Sequence, residues 1–291
     1  MSAPNLQEIH DTLIEVAQKA GDMILNARPS FQSAGNKKNS VDLVTETDQA
    51  VEKMVSTTLR EKYPDYSFLG EETYKPGMTL GSGPTFICDP IDGTTNFVHG
   101  HPYVSISLGF TIDKRPVVGV VYNPFRKDLF TAIEGKGAFL NRTTRLPYKQ
   151  EPEPLEGLNN ALVAVEWGSD RHGNNYDIKW NTYRKLAANK DNGGSMVHSL
   201  RSLGSAALNL CHVATGTFDA YWEAGCWAWD VAAGWVILKE AGGLIASANP
   251  GEWTPAVDGR KYFAVRGAPS GQKELVEELW AQVDGKFDYS A

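Results

Sequence analysis

Thr85-Phe86-Ile87-Cys88-Asp89-Pro90-Ile91-Asp92-Gly93-Thr94-Thr95-Asn96 contains the sharpest change of character in the chain. A short apolar run ends in an acid, a proline, a second acid and a Gly-Thr-Thr turn. Two carboxylates three residues apart at the end of a buried strand are unfavourable unless something positive sits between them. A divalent cation is the simplest such partner. The Gly-Thr-Thr that follows offers amide N–H groups and hydroxyls to an anion. The stretch therefore points to a metal site beside a phosphate site, on condition that the rest of the chain supplies further ligands.

Upstream, Ser67-Phe68-Leu69-Gly70 reads as a short strand running into Glu71-Glu72. Before it, Leu6, Ile9, Leu13, Val16, Ala20 and Ile24 recur at helical spacing, so a helix is predicted near 6–27. The polar segment Gln32–Ser40, with Gly35 and Lys37-Lys38, reads as a loop. Thr45 or Thr47 caps a second helix whose inner face is Val51, Met54, Val55 and Leu59. Downstream, the strands Val104–Ile112, Val117–Tyr122 and Leu129–Glu134 follow the opening one, with turn signals at Asn123-Pro124 and Gly135-Lys136-Gly137. The proline-rich, acidic stretch Pro147–Asn160 marks a boundary between an N-terminal half, 1–150, and a C-terminal half, 151–291, within one compact catalytic unit.

In the second half strands at Ala161–Val165, Phe218–Glu223 and Tyr262–Val265 alternate with helices near 177–190, around Leu203–Cys211, over Ala228–Leu238 and around Leu275–Val283. The Ala228–Leu238 run is apolar on every side except Asp230, as expected of a buried helix, and Gly242-Gly243 closes it. The sum is a layered α/β protein with largely antiparallel strands in its first half.

The composition narrows the function. The net charge of −7 leaves no basic surplus for nucleic acid. No apolar run reaches the roughly 18 residues of a membrane span, and Met1-Ser2-Ala3-Pro4-Asn5 lacks the pattern of a signal peptide. The 3 cysteines, Cys88, Cys211 and Cys226, read as reduced, buried thiols of a cytoplasmic protein.

Glu71, Asp89, Asp92 and Asp230 all stand where a strand ends or a helix begins. Such oxygen donors suit magnesium, completed by waters and substrate phosphate oxygens. Each also has a plainer reading. Asp92-Gly93 fits a turn, Asp230 and Asp48 fit helix starts, Glu71-Glu72 fits a solvated loop, and Glu223 fits a surface ion pair. Spacing alone does not bring Glu71 or Asp230 to the aspartate pair. Other chemistries fit less well. His99 and His101 lack metal-ligand spacing, Gly-x-Ser-x-Gly is absent, and Gly81-Ser82-Gly83 lacks the third glycine and following helix of a dinucleotide fingerprint. Asp-Pro-Ile-Asp differs from the Asp-x-Asp of aspartyl-phosphate enzymes, so a covalent aspartate is not expected. Trp222, Trp227, Trp229 and Trp235 read as core or as the walls of a pocket.

Asp89-Pro90-Ile91-Asp92-Gly93-Thr94-Thr95-Asn96-Phe97 closely resembles the signature of the inositol monophosphatase family of magnesium-dependent, lithium-sensitive phosphomonoesterases. Trp229-Asp230-Val231-Ala232-Ala233-Gly234 resembles the second signature, and Asp42–Asp48 and Gly70-Glu71-Glu72 resemble further landmarks. The resemblance implies a layered αβαβα sandwich of the inositol monophosphatase/fructose-bisphosphatase type and, usually, a homodimer. It also implies two to three magnesium ions. Glu71, Asp89 and the Ile91 carbonyl would hold the first, Asp89, Asp92 and Asp230 the second, and Glu71 with waters a weaker third. Gly93 and Thr94 would take the phosphate. Glu71 and Thr94, backed by Asp48, would activate water. Lys37 would lie on a mobile loop near the site. Ala206 and Glu223 would meet substrate hydroxyls, with Gly204 and Ser205 alongside. The implied substrate is a small phosphate monoester, first of all inositol monophosphate. Alternatives are a sugar phosphate, a phosphorylated nucleotide, or a binding role in a relative that has lost catalysis. The segments Trp167–Arg171 and Gly225–Ala228, the latter bulkier than in animal-type members, lie where the family's substrate ring sits.

Overall fold

The computed structural model describes residues 3–27, 34–37 and 43–289. Lys38 and Asp42 lie outside them, as does most of the expected loop Gln32–Ser40. Helix α1 (Leu6–Asn26) is followed by the two-residue strands β1 (Gly35–Asn36) and β2 (Leu43–Val44), which pair antiparallel. Thr45 caps helix α2 (Glu46–Lys62) and closes a reciprocal box, its N–H donating to Asp48 Oδ2 at 2.8 Å.

A seven-stranded sheet follows. It runs β3 (Ser67–Gly70), β4 (Thr85–Asp92), β5 (Ser105–Ile112), β6 (Arg115–Asn123), β7 (Asp128–Ile133), β8 (Ala138–Leu140) and β9 (Thr144–Arg145) in spatial as in chain order. Only the β3–β4 pair is parallel. The short helix α3 (Thr94–His99) interrupts the chain after β4. The second half gives β10 (Leu162–Val165), α4 (Asn174–Ala187), β11 (Ser199–Arg201), α5 (Ala206–Thr215), β12 (Ala220–Ala224), α6 (Ala228–Glu240), β13 (Leu244–Ala246), β14 (Lys261–Val265) and α7 (Gln272–Trp280). Its five strands are ordered β11-β10-β12-β14-β13.

Three apolar cores define five layers. Ile9, Leu13 and Val16 of α1 and Val51 and Val55 of α2 pack on Phe86, Phe110 and Val118 of the larger sheet. The other face of that sheet meets α5 and α6, which also contact the smaller sheet through Tyr221, Tyr262 and Ala264. Ile178 and Leu186 of α4 and Leu275, Val276 and Leu279 of α7 close the far side against Val163, Trp222 and Phe263. This is the expected αβαβα sandwich. The larger sheet is covered on both faces, so every residue of β4 is buried and its sequence shows no alternation.

Small residues let α6 lie directly on that sheet. A Cβ on Gly119 would stand 2.2 Å from Ala233 O, and one on Gly109 would stand 2.9 Å from Ala232 Cβ. The contact explains the all-round apolar run 228–238, since α6 has sheet on one side and α5 on another. It also sets where the N-terminal turn of α6 comes to rest. Strands β1, which lies within the expected loop, β2, β8, β9, β11 and β13 were not expected. At two or three residues each they are too short to show a period.

Candidate active site

The carboxylates of β4 are placed by an irregularity in its ladder. Asp89 pairs with Ser107 and Asp92 with Ser105, so three steps along β4 match two along β5. In a regular strand residues three apart point to opposite faces. One extra residue, at Pro90-Ile91, returns Asp92 to the face of Asp89. Proline is tolerated there because a bulge releases the ladder N–H it lacks. The turn is pinned locally, with Ile91 N donating to Asp89 Oδ1 at 3.0 Å and Thr94 Oγ1 donating to Ile91 O at 3.1 Å.

Glu71 reaches the pair because β3 runs parallel to β4, and its N–H continues that ladder to Cys88 O at 3.1 Å. Asp230 reaches it from α6, whose N-terminal turn is tied to β5 by Ser107 Oγ donating to Trp229 O at 3.0 Å. Asp230 also serves its helix, accepting the Trp227 N–H at 2.7 Å. Its capping and clustering roles are therefore compatible. Asp89 lies against both Glu71 and Asp230.

Concentrating these acids has an electrostatic consequence. Burial, then the charges of Glu71, Asp92 and Asp230, push the Asp89 carboxyl well above its ordinary range. Burial, then Glu71 and Asp92, do the same to Asp230. Burial lifts Asp92 to about 7 against hydrogen bonds from Ser205, Ala207 and Ala206. Glu71 is raised by burial and partly relieved by Lys37, whose Nζ lies 2.7 Å from Glu71 Oε1 and 2.6 Å from Glu72 Oε1. Burial opposes protonation of Lys37, but the charge and hydrogen bonds of Glu71, with those of Glu72, outweigh it and raise its pKa.

Among the described residues no three acid, histidine or cysteine side chains already stand in metal-ligating geometry. The partners explain this. Glu71 is turned to Lys37, Asp92 to the start of α5 and Asp230 to Trp227. The donor set nevertheless fits a hard divalent ion, with four buried or half-buried carboxylates, a carbonyl beside them, and no soft ligand required.

Beside the acids, Asp48 is 1% exposed and burial raises its pKa. Its Oδ1 lies 3.1 Å from Thr94 Oγ1. That hydroxyl faces two acceptors, Asp48 and Ile91 O, with one proton to give. Gly93 opens α3 at φ +92°, where a Cβ would come within 2.9 Å of Tyr103 O and 3.0 Å of Gly204 O. The first amides of a helix have no partner within it.

The chain around Gly204 supports Asp92. The Ser205 hydroxyl donates to Asp92 Oδ2, Ala206 N to Oδ1 at 3.2 Å and Ala207 N to Oδ2 at 2.8 Å. The polar groups of Ser205 and Ala206 expected alongside a substrate are thus directed at an acid of the cluster. Gly204 N donates at 2.9 Å to Glu166, a residue that sequence reasoning passed over. Glu166 also accepts from Leu203 N at 2.7 Å, Ser202 Oγ at 3.0 Å and Asn209 Nδ2 at 2.8 Å. Its sequence signal is a glutamate closing the apolar strand β10, the same position that Glu71 holds after β3. Glu166→Ala leaves the buried Asn209 amide and the partly buried Leu203 N–H without their acceptor, and equilibrium urea unfolding is expected to show a loss of about 2 kcal/mol.

Glu223 is buried at the end of β12, bonded by the Tyr221 hydroxyl, and lifted to about 7 by burial and then by the Glu166 charge, against the pull of Lys179. Lys179 is 1% exposed and was also passed over, because on α4 it looks like one more surface lysine. Trp227 and Trp229 stack at 5.1 Å and meet Tyr74, forming an aromatic wall next to Asp230. His99 and His101 lie exposed at and beyond the end of α3.

Comparison with known proteins gives a consistent pattern. The sequence profile described as the inositol monophosphatase family matches residues 5–284. Inositol monophosphatase 2 of Saccharomyces cerevisiae is 47% identical over 292 residues, covering 98% of each chain. The quinic acid degradation cluster protein x of Neurospora crassa is 39% identical, covering 99% of this chain and 97% of its own. The solved structure of inositol monophosphatase from Anabaena superposes with a TM-score of 0.76 at 30% identity, covering 97% of this chain and 98% of that one.

Proposed function

This chain belongs to the inositol monophosphatase family, and on that premise we propose how its acidic cluster works. The activity is magnesium-dependent hydrolysis of inositol monophosphate to inositol and phosphate. The observation that carries the site assignment is that Glu71 after β3 and Asp230 of α6 come to the Asp89–Asp92 pair of β4, beside Gly93-Thr94.

Glu71, Asp89 and the Ile91 carbonyl would hold one ion, Asp89, Asp92 and Asp230 a second, and Glu71 a weaker third. When bound, magnesium supplies Lewis-acid polarisation of phosphoryl oxygens and acidifies water. The amides of Gly93 and Thr94 would bind the phosphate and fix its direction. Glu71 and Thr94 would orient a water for in-line attack. With the Thr94 proton given to Asp48 in place of Ile91 O, the hydroxyl lone pairs would accept from that water, so Asp48 would back the transfer. The new P–O bond forms as the ester P–O bond breaks, and the departing alkoxide takes its proton from solvent. Lys37 would share Glu71 with the site rather than act on substrate.

A second reading, another small phosphate monoester, draws on the aromatic wall at Trp227 and Trp229 and on a relative named for quinic acid degradation. Family membership also suggests a homodimer, and three unpaired, buried cysteines suit a cytoplasmic setting. No described helix is long and apolar enough to cross a membrane.

The test is phosphate release from a panel of esters. Inositol 1-phosphate is expected to give the highest kcat/KM, with turnover abolished by a chelator and restored by magnesium. A sugar or nucleotide phosphate preferred about tenfold would establish the second reading, and turnover indifferent to chelation would overturn the site assignment.

A further inference from the structure

The segment after α7, Gly285–Tyr289, is irregular, yet it is held by three asparagine side chains from two distant parts of the fold. Asn174 Nδ2 donates to Lys286 O at 3.0 Å. Asn175 brackets Asp288, accepting its N–H at 2.9 Å and donating to its carbonyl at 3.0 Å. Asn249, 8% exposed, brackets Phe287 in the same way at 2.7 and 3.1 Å. Phe287 packs on Trp222 with ring centroids 5.3 Å apart. The buried Asn249 amide, with both ends satisfied by Phe287, holds the segment in a single register, and Asn174 and Asn175 fasten it on either side from α4.

What this register delivers is Tyr289. Its hydroxyl donates to Asp170 Oδ2, in the loop Trp167–Gly173. Its ring lies 5.6 Å from Lys179 Nζ and 5.1 Å from the Arg260 guanidinium. Arg260 in turn lies 3.6 Å over the Trp227 ring and donates to Gly225 O at 2.9 Å. A Cβ on Gly225 would stand 3.2 Å from the Tyr289 ring. The same loop lies over the Lys179–Glu223 pair. A Cβ on Gly168 would come 2.8 Å from Lys179 Nζ and 4.0 Å from Glu223 Oε1, and Lys179 Nζ donates to Trp167 O at 3.2 Å. One tyrosine thus supports the loop, the cation behind Glu223 and the arginine that backs the aromatic wall.

We infer that Tyr289 is a specificity-determining positioning residue, which fixes the Trp167–Gly173 loop and the Glu223–Trp227 wall around the alcohol of the substrate. The inference rests on the proposed phosphatase reading and deepens it. The reacting phosphate is held by a different set of residues, those of β4, α3 and the start of α6. Tyr289 should therefore act on how the alcohol is gripped and not on the chemical step. Cation–π contacts keep the two cations in place, and the hydroxyl keeps the loop closed on them.

The test compares wild type, Tyr289→Phe and Tyr289→Ala on inositol 1-phosphate and on glycerol 2-phosphate, whose smaller alcohol has no ring, with saturating magnesium. Tyr289→Phe keeps the ring and removes one hydrogen bond. It is expected to raise KM for inositol 1-phosphate about threefold to tenfold, with kcat and the glycerol 2-phosphate constants within about twofold. Tyr289→Ala is expected to widen that gap. Thermal melting of Tyr289→Phe should match wild type, showing that the change is not one of folding. Equal losses on both esters, a fall in kcat alone, or no change in either ester overturns the inference while leaving the phosphatase reading intact. A wild-type protein inactive on both esters overturns the reading and the inference together.

Discussion

Asp89→Asn is expected to lower kcat/KM for inositol 1-phosphate by at least about a thousandfold, close to 4 kcal/mol of transition-state stabilisation. Glu71, Asp92 and Asp230 all act on Asp89, and it is 2% exposed. Asparagine keeps its shape and its acceptor for the Ile91 N–H. It removes one of the negative charges that would attract a divalent ion to this point. Its amide N–H can donate to Glu71 or Asp230, the acids beside Asp89. The variant should therefore fold, and in chelator its melting temperature should equal or exceed that of wild type because a buried like-charge interaction has gone. The informative result is the pair of measurements. Lost turnover with retained stability supports a site whose charges serve a cation, whereas a variant that also melts early would mean that Asp89 is chiefly structural.

The second large effect is expected far from the substrate, at Gly119→Ala. The added methyl would meet only backbone, Ala233 O at 2.2 Å and Ala233 C and Cα at 3.0 Å, so no side chain can swing aside. Helix α6 must move, at a cost of about 3 kcal/mol, or roughly 6–10 °C in melting temperature. Asp230 rides on the first turn of α6, so the half-saturating magnesium concentration should rise in parallel, about threefold or more. Gly81→Ala is the control, with nothing within 4 Å of the added methyl, and should leave both quantities unchanged. A Gly119 variant that loses stability but keeps its magnesium response would separate the packing of α6 from the placement of Asp230.

How far the sequence discloses this architecture depends on whether a residue's reason for being there is local. The start of α2 was legible to within two residues, at Thr45 or Thr47, because Thr45 and Asp48 cap each other within one turn. The burial of Asp89 and Asp92 was legible because they close an apolar strand, where two acids are unfavourable wherever the strand lies. The arrival of Asp230 at that strand was not legible from spacing. It depends on Gly109 and Gly119 admitting a helix from the other half of the chain. The family signatures supplied what spacing could not. Glu166 and Lys179 went unread for a related reason. Their partners, Ser202–Asn209 for one and Trp167, Glu223 and Tyr289 for the other, are brought to them only by the folded sheet.

The extra residue in β4 makes the acid pair a matter of parity. An odd spacing along a flat strand divides two side chains between opposite faces, and a single insertion converts odd to even. What Pro90 and Ile91 contribute to the pair is first of all that the bulge sets the two of them against a single residue of β5. Exchanging either side chain and removing either residue are then changes of different kinds. The first alters a neighbour of the site, whereas the second leaves a regular two-residue step that keeps Asp92 on the face of Asp89 but removes the bulge and disturbs the turn held by the bonds of Ile91 to Asp89 and Thr94.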